Sequence, residues 1–232
     1  MIKLSVLLLV AAAVCRGQTI TTYSNANAGA IHNVCLAPVD AQMVRAGMKG
    51  GETLTEESEK WGEKLGKTFV AAILDAGGRN VPNLSPDSPP EARELVTRIR
   101  RRYDSIGPQM LKKRGGVRQG RYTLGDEIAL LPCARDADAV AFIDASAVTQ
   151  TKGRKTFSIL TGGFAGPLMA LNSYKIYISF VDARTGQVQR LMSVRKLGGK
   201  MGEDPEVALK KRLVEEFKRA AIGATLAPSV RR

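Results

Sequence analysis

YKIYISFV, DARTG and QVQRLMSV, read as one run from Tyr174 to Val194, decide the fold. Tyr174, Ile176, Ile178 and Phe180 alternate onto one face, with Lys175, Tyr177 and Ser179 on the other. Val188, Met192 and Val194 continue an apolar face on the return strand, opposite Gln189 and Ser193. Asp182 can accept hydrogen bonds from turn amides, and Gly186 can take the positive φ that a four- or five-residue hairpin loop needs. A hairpin with one apolar and one wetter face asks for helices packed on a single side, and helical patterns lie before and after it.

Working outward, Asp138–Val148 is mostly small or apolar and predicts a strand in mid-sheet. Ile31–Val39 predicts a short first strand, and Arg79–Leu84 another. Between them, Thr53-Leu54-Thr55-Glu56 has capping-box spacing. Trp61, Leu65, Phe69 and Ile73 recur every four residues, and Gly77-Gly78 ends the pattern. A second helix is predicted from Glu91 to about Lys113. Its inner face is Leu95, Ile99, Ile106, Met110 and Leu111, with a break at Gly107-Pro108. A short helix near Asp126 stops at Pro132. The last opens at Asp204-Pro205, turns Val207, Leu213, Val214 and Phe217 inward and stops at Gly223. Met43–Gly51 reads as a glycine-punctuated connection. The expectation is an α/β (α+β) fold: a single mixed β-sheet with helices packed mainly on one face, in the order β-α-β-α-α-β-β-β-α.

The N-terminus reads as an export signal. Lys3 precedes the apolar run Leu4–Val14, which has the length of a secretory core and is too short to span a bilayer. Cleavage after Gly17 is the first expectation, with Ala13 the alternative. Cys15 could instead be a lipidation site, although Val14 is larger than the residue such a site favours. The remaining boundaries are a flexible lead at 18–30, one domain at 31–223 containing a glycine-rich apolar loop at 151–173, and a basic tail at 224–232. Removing residues 1–17, with Lys3 and Arg16 and no acid, lowers the net charge from +13 to +11 and leaves Cys35 and Cys133. In an oxidising compartment that pair forms either a disulfide or two buried thiols.

Charge is concentrated in one stretch. From Arg93 to Arg121 there are ten Lys or Arg against Glu94 and Asp104. Candidate binding residues on this basic surface are Arg98, Arg100, Arg101, Arg102, Lys112, Lys113 and Arg114, with Phe164, Leu168 and Met169 as an apolar anchor. Such a surface suits an acidic envelope protein, an anionic polymer or lipid headgroups. Export argues against nucleic acid. With one histidine, His32, and the two cysteines left after the leader far apart, the sequence offers no triad and no zinc cluster. No cofactor motif is complete, and no carboxylate spacing nominates an acid–base pair.

Asp138–Ile143 (DAVAFI) and Tyr174–Val188 (YKIYISFVDARTGQV) resemble the α/β domain of bacterial envelope proteins. Those families are the curli-secretion channel subunit, the outer-membrane activators of penicillin-binding proteins, and the N-terminal domain of the Tol-system propeller protein. The resemblance implies a non-enzymatic protein of the periplasm or outer membrane that works through protein contacts; peripheral membrane association and a homo-oligomer are separate open options. Many such relatives are lipoproteins, which the Val14-Cys15 junction does not favour. A secreted binder of anionic polymer, or a hydrolase with an unrecognised carboxylate pair, are the alternatives.

Overall fold

The computed structural model describes residues 19–47, 50–82, 89–150, 172–197 and 205–223. The expected leader, Cys15, the apolar anchor Phe164, Leu168 and Met169, and the basic tail lie outside the described residues. One mixed sheet of eight strands organises the rest. Its strands are β1 (Thr19–Ser24), β2 (Asn33–Leu36), β3 (Asp40–Gly47), β4 (Gly50–Thr53), β5 (Arg79–Val81), β6 (Ala139–Gln150), β7 (Asn172–Asp182) and β8 (Val188–Leu197). Helices α1 (Thr55–Asp75), α2 (Pro90–Lys112), α3 (Gly115–Arg118) and α4 (Pro205–Arg219) flank it, with 3-10 turns at Asp126–Leu130 and Pro132–Arg135.

The hairpin forms as its sequence dictates. Asp182 accepts the amides of Arg184 and Thr185 at 2.9 and 2.8 Å, and Gly186 sits at φ 69°. Antiparallel neighbours continue on both sides: β6 pairs with β7, and β1 with β8. β6 is indeed a mid-sheet strand. Its other edge runs parallel to β2 at Ala139–Ala141 and then to β3 from Asp144 onward. β2 and β3 are therefore one strand path bent at Ala37-Pro38-Val39, where proline removes a ladder donor.

Several expectations are corrected. Residues 19–24, placed in a flexible lead, are the edge strand β1, because Thr and Tyr suit a pleated edge and β8 offers a free partner. Of the Met43–Gly51 connection, residues 43–47 belong to β3 and 50–51 to β4, which pair antiparallel. No capping box forms: Thr53 ends β4, and the cap position is Leu54 with no side-chain bond. Pro108 lies within an unbroken α2, where burial of Tyr103, Gly107 and Met110 against the sheet holds the helix despite the missing amide. Val207, expected inside, is 56% exposed, and Leu209 takes the inward position.

Two of the three long helices lie on one face of the sheet and the third on the other. Leu65, Phe69 and Ile73 of α1 and Leu209, Leu213 and Phe217 of α4 pack with Ile143, Ile178, Phe180 and Met192 on one face. Leu95, Ile99, Tyr103 and Met110 of α2 pack with Phe142, Val140, Val181 and Leu191 on the other. Val188 belongs to this second core because the register shifts between Phe180 and Val181. The strand residues that look polar on that face are partly roofed by α2: Ser179 is fully buried and meets the Tyr103 hydroxyl at 2.9 Å. Cys35 and Cys133 are bonded to each other, tying β2 to the 3-10 segment beneath α2.

Candidate functional site

Where β3 bends away from β2, α2 and the sheet separate and leave a cleft of about 700 Å³. Its floor is the upper part of the second face, including Asp144, Ser146 and Tyr177, and its wall is one side of α2, including Arg100, Tyr103 and Asp104. The parallel register sets Asp40 of β3 directly beside Asp144 of β6. Arg100 reaches from α2 between them. Its Nη2 bonds Asp144 and lies 3.4 Å from Asp40, and its Nε meets Asp104 at 2.8 Å. The guanidinium also lies over the Tyr103 ring, 5.2 Å from the centroid, and that ring stacks on Phe142 at 4.6 Å.

Burial sets the protonation behaviour. It pushes Asp144 above the ordinary aspartate value, with the Arg100 charge pulling against it. Burial alone would depress Arg100, but Asp144, Asp104 and Asp40 outweigh it and hold the group firmly charged. Burial also keeps the Tyr103 hydroxyl protonated far above its usual range. One donor of this network, Arg100 Nη1, is buried without a hydrogen-bond partner among the described residues.

The residues expected on one basic surface divide into three groups. Arg100 is not on the outer face at all; it is the hub of the cleft, on the side of α2 that faces Asp144 of β6 and Asp40 of β3. Arg98 sits 3.5 Å from Glu127. Arg114 is engaged with Tyr23, donating to its hydroxyl at 3.0 Å and covering its ring at 5.4 Å, while Arg118 approaches the same ring at 5.9 Å. Arg101, Arg102, Lys112 and Lys113 are exposed, and among the described residues no carboxylate lies within ion-pair distance of them. These four are the exposed candidates that have no ion pair among the described residues.

The cleft itself carries no motif in the sequence. Asp144 was its visible trace, a charge interrupting an otherwise apolar mid-sheet strand. Asp40 and Asp104 carry no signal until the bend and the helix bring them together. Among the described residues no group of His, Cys, Asp and Glu is arranged to hold a metal ion, and no helix is long and apolar enough to cross a membrane.

No family model matches the chain, and no curated protein matches it in sequence. Among solved structures it is similar to the PelC dodecamer from Paraburkholderia phytofirmans, at 10% identity and a TM-score of 0.41, covering 90% of this chain and 99% of that one. A single-substitution variant of the same PelC gives 9% identity and 0.40, covering 88% and 99%. At this similarity the likeness carries no functional inference.

Proposed function

We propose that this chain is an exported protein of the bacterial envelope that acts by binding, with the outer face of α2 engaging an anionic partner. The observation that carries the reading is the set Arg101, Arg102, Lys112 and Lys113: four exposed cations with no carboxylate in ion-pair reach among the described residues, on a chain of net charge +13. Paired surface charges are a solvated lattice that cancels locally. Unpaired ones leave a net field that attracts an anionic surface. Two further features support export. The Leu4–Val14 run has the form of a secretory core, and a buried Cys35–Cys133 disulfide belongs to oxidising compartments. The similarity of Asp138–Ile143 and Tyr174–Val188 to envelope families agrees with a role through protein contacts.

A hydrolase working in the cleft is the weaker reading. Asp40 and Asp144 do converge there and Asp144 is shifted upward, but both share the Arg100 guanidinium. That arrangement holds carboxylates in place and leaves neither free to carry a proton to a substrate.

The test is the double variant Arg101→Glu, Arg102→Glu, scored by the fraction of protein retained on envelope preparations across a salt series. Each reversed site is expected to lower retention at low salt several-fold and to flatten its salt dependence. Unchanged retention with unchanged salt dependence would remove the basic face from the function.

A further inference from the structure

We infer that the cleft between α2 and the sheet binds a lysine-bearing segment of a partner polypeptide, the ammonium meeting the acidic wall and a backbone carbonyl meeting Arg100. The inference rests on the cleft alone and does not depend on the anionic partner proposed for the outer face of α2.

The cavity is the starting point. Its volume of about 700 Å³ lies in the range of sites that enclose a ligand and is several times that of one lysine side chain, so a side chain enters together with flanking backbone. Pro108, Leu111 and Tyr177 line it and are partly exposed, which gives the methylenes of a lysine an apolar surface to lie along. The charged part of the lining is Asp40, Glu59, Asp104 and Asp144 against Arg100 alone, on a chain of net charge +13. Arg100 is divided among three of these acids. The side chains of Asp40 and Asp104 remain 67% and 52% exposed, and Glu59 is exposed with no ion pair among the described residues. Other cations lie near but not in the wall. Arg45 is held by Glu52 and Glu57, Lys175 stands two residues along β7 from Tyr177, and Lys49, between β3 and β4, lies outside the described residues. Carboxylate oxygens are therefore left for a second cation.

A separate observation says what else the ligand carries. Arg100 Nη1 is buried with no hydrogen-bond partner among the described residues. Leaving such a donor unmet is costly, and an acceptor brought by the ligand removes that cost. A bare amine answers the acids but offers the guanidinium nothing to donate to. A lysine residue within a peptide answers both, with its ammonium for the carboxylates and a carbonyl oxygen a few bonds away for Nη1. Lysine also suits the acids better than arginine does. Asp40 stands on β3, Glu59 on α1 and Asp104 on α2, and the three diverging donors of an ammonium serve carboxylates on separate elements. The flat fork of a guanidinium matches one carboxylate.

The experiment is a titration of the purified protein, followed by amide NMR shifts at about 50 mM salt. Its probes are Nα-acetyl-lysine N-methylamide, the same compound acetylated on Nε, and n-butylamine. Exposed ion pairs contribute little each, so saturable shifts at Asp104, Ser146 and Tyr177 are expected only at millimolar lysine probe. Acetylating the amine should weaken binding by about tenfold or more. The n-butylamine, which keeps the charge and lacks the carbonyl, should bind about threefold or more weaker. Asp40→Asn with Asp104→Asn should weaken the lysine probe by about tenfold, and Glu59→Gln by about threefold. The Glu59 change breaks no ion pair among the described residues and serves where the double change disturbs Arg100. Absence of saturable shifts at the cleft would overturn the inference. Equal binding of the Nε-acetylated probe would do so too, because the charge would then not be read. Equal binding of n-butylamine would replace the peptide by a free amine. Arg101→Glu with Arg102→Glu should leave the lysine probe bound whether or not it abolishes envelope retention, so the two readings fail separately.

Discussion

Reducing the Cys35–Cys133 bond should cost this protein about 4–5 kcal/mol of stability. The bond joins positions 98 residues apart. In the chain-entropy treatment, cross-linking a loop of that order removes about 4.7 kcal/mol of denatured-state freedom at 25 °C. Residual structure in the unfolded chain lowers the figure, so about 2 kcal/mol is a floor. Both cysteines are buried, Cys35 completely, which keeps reductant out until the chain opens and leaves no exposed thiol to be solvated in the native state. The assay is urea unfolding of the same wild-type protein with and without reductant, followed by circular dichroism. With a denaturant slope of about 2–3 kcal/mol per molar, the midpoint should fall by roughly 2 M on reduction. Near-UV signals from Tyr103, Phe142 and Trp61 should be preserved below the new midpoint. Coincident curves with and without reductant would refute the reasoning, because a closed loop of this length cannot be neutral unless the bond is absent.

Two predictions concern the hairpin turn. Gly186→Ala should cost about 3 kcal/mol or more: φ is 69°, and an added Cβ would sit 2.0 Å from the Gly125 carbonyl oxygen, so left-handed strain and a backbone clash add together. Thermal unfolding reads this as a fall in Tm of many degrees, and a shift of only a degree or two would mean the turn is not built this way. Asp182 is partly desolvated, which alone would raise its pKa, but amides of Thr185 and Arg184 together with Gln189 hold it below the ordinary aspartate value. A carboxyl whose folded pKa is depressed contributes stability above its unfolded pKa of about 3.9 and loses it as pH falls through the folded value. Asp182→Asn keeps the acceptor oxygen and discards the charge, so the stability gap to wild type should be present at pH 6 and shrink below pH 4. A gap independent of pH would contradict the assignment.

Local chemistry made much of this molecule legible in advance. Period-two alternation, the Asp182–Gly186 turn and the four-residue stripe from Trp61 to Ile73 are short-range patterns, set by backbone sterics and by which side chains must leave water. They determined the hairpin, the mid-sheet strand at Asp138–Val148, helices α1 and α2, and the mixed single sheet. The cysteine pair was readable too, but only as an alternative between a bond and two thiols. The tertiary structure decided that alternative, because bringing β2 under the 3-10 segment is a long-range event.

Long-range packing decided the rest. Whether a polar-looking strand face stays wet depends on what lands on it, and α2 covers Ser179 while leaving Tyr177 at a cleft. Whether an arginine in a basic run faces solvent depends on a rotation of 100° per residue, which sends Arg100 to Asp40, Asp104 and Asp144 and its neighbours Arg101 and Arg102 outward. Those three aspartates stand 40 to 104 positions apart in the chain, and no spacing rule joins them. By itself the sequence determined the elements and the charge. Only the packing of helices on the sheet decided which charges neutralise one another inside and which remain exposed.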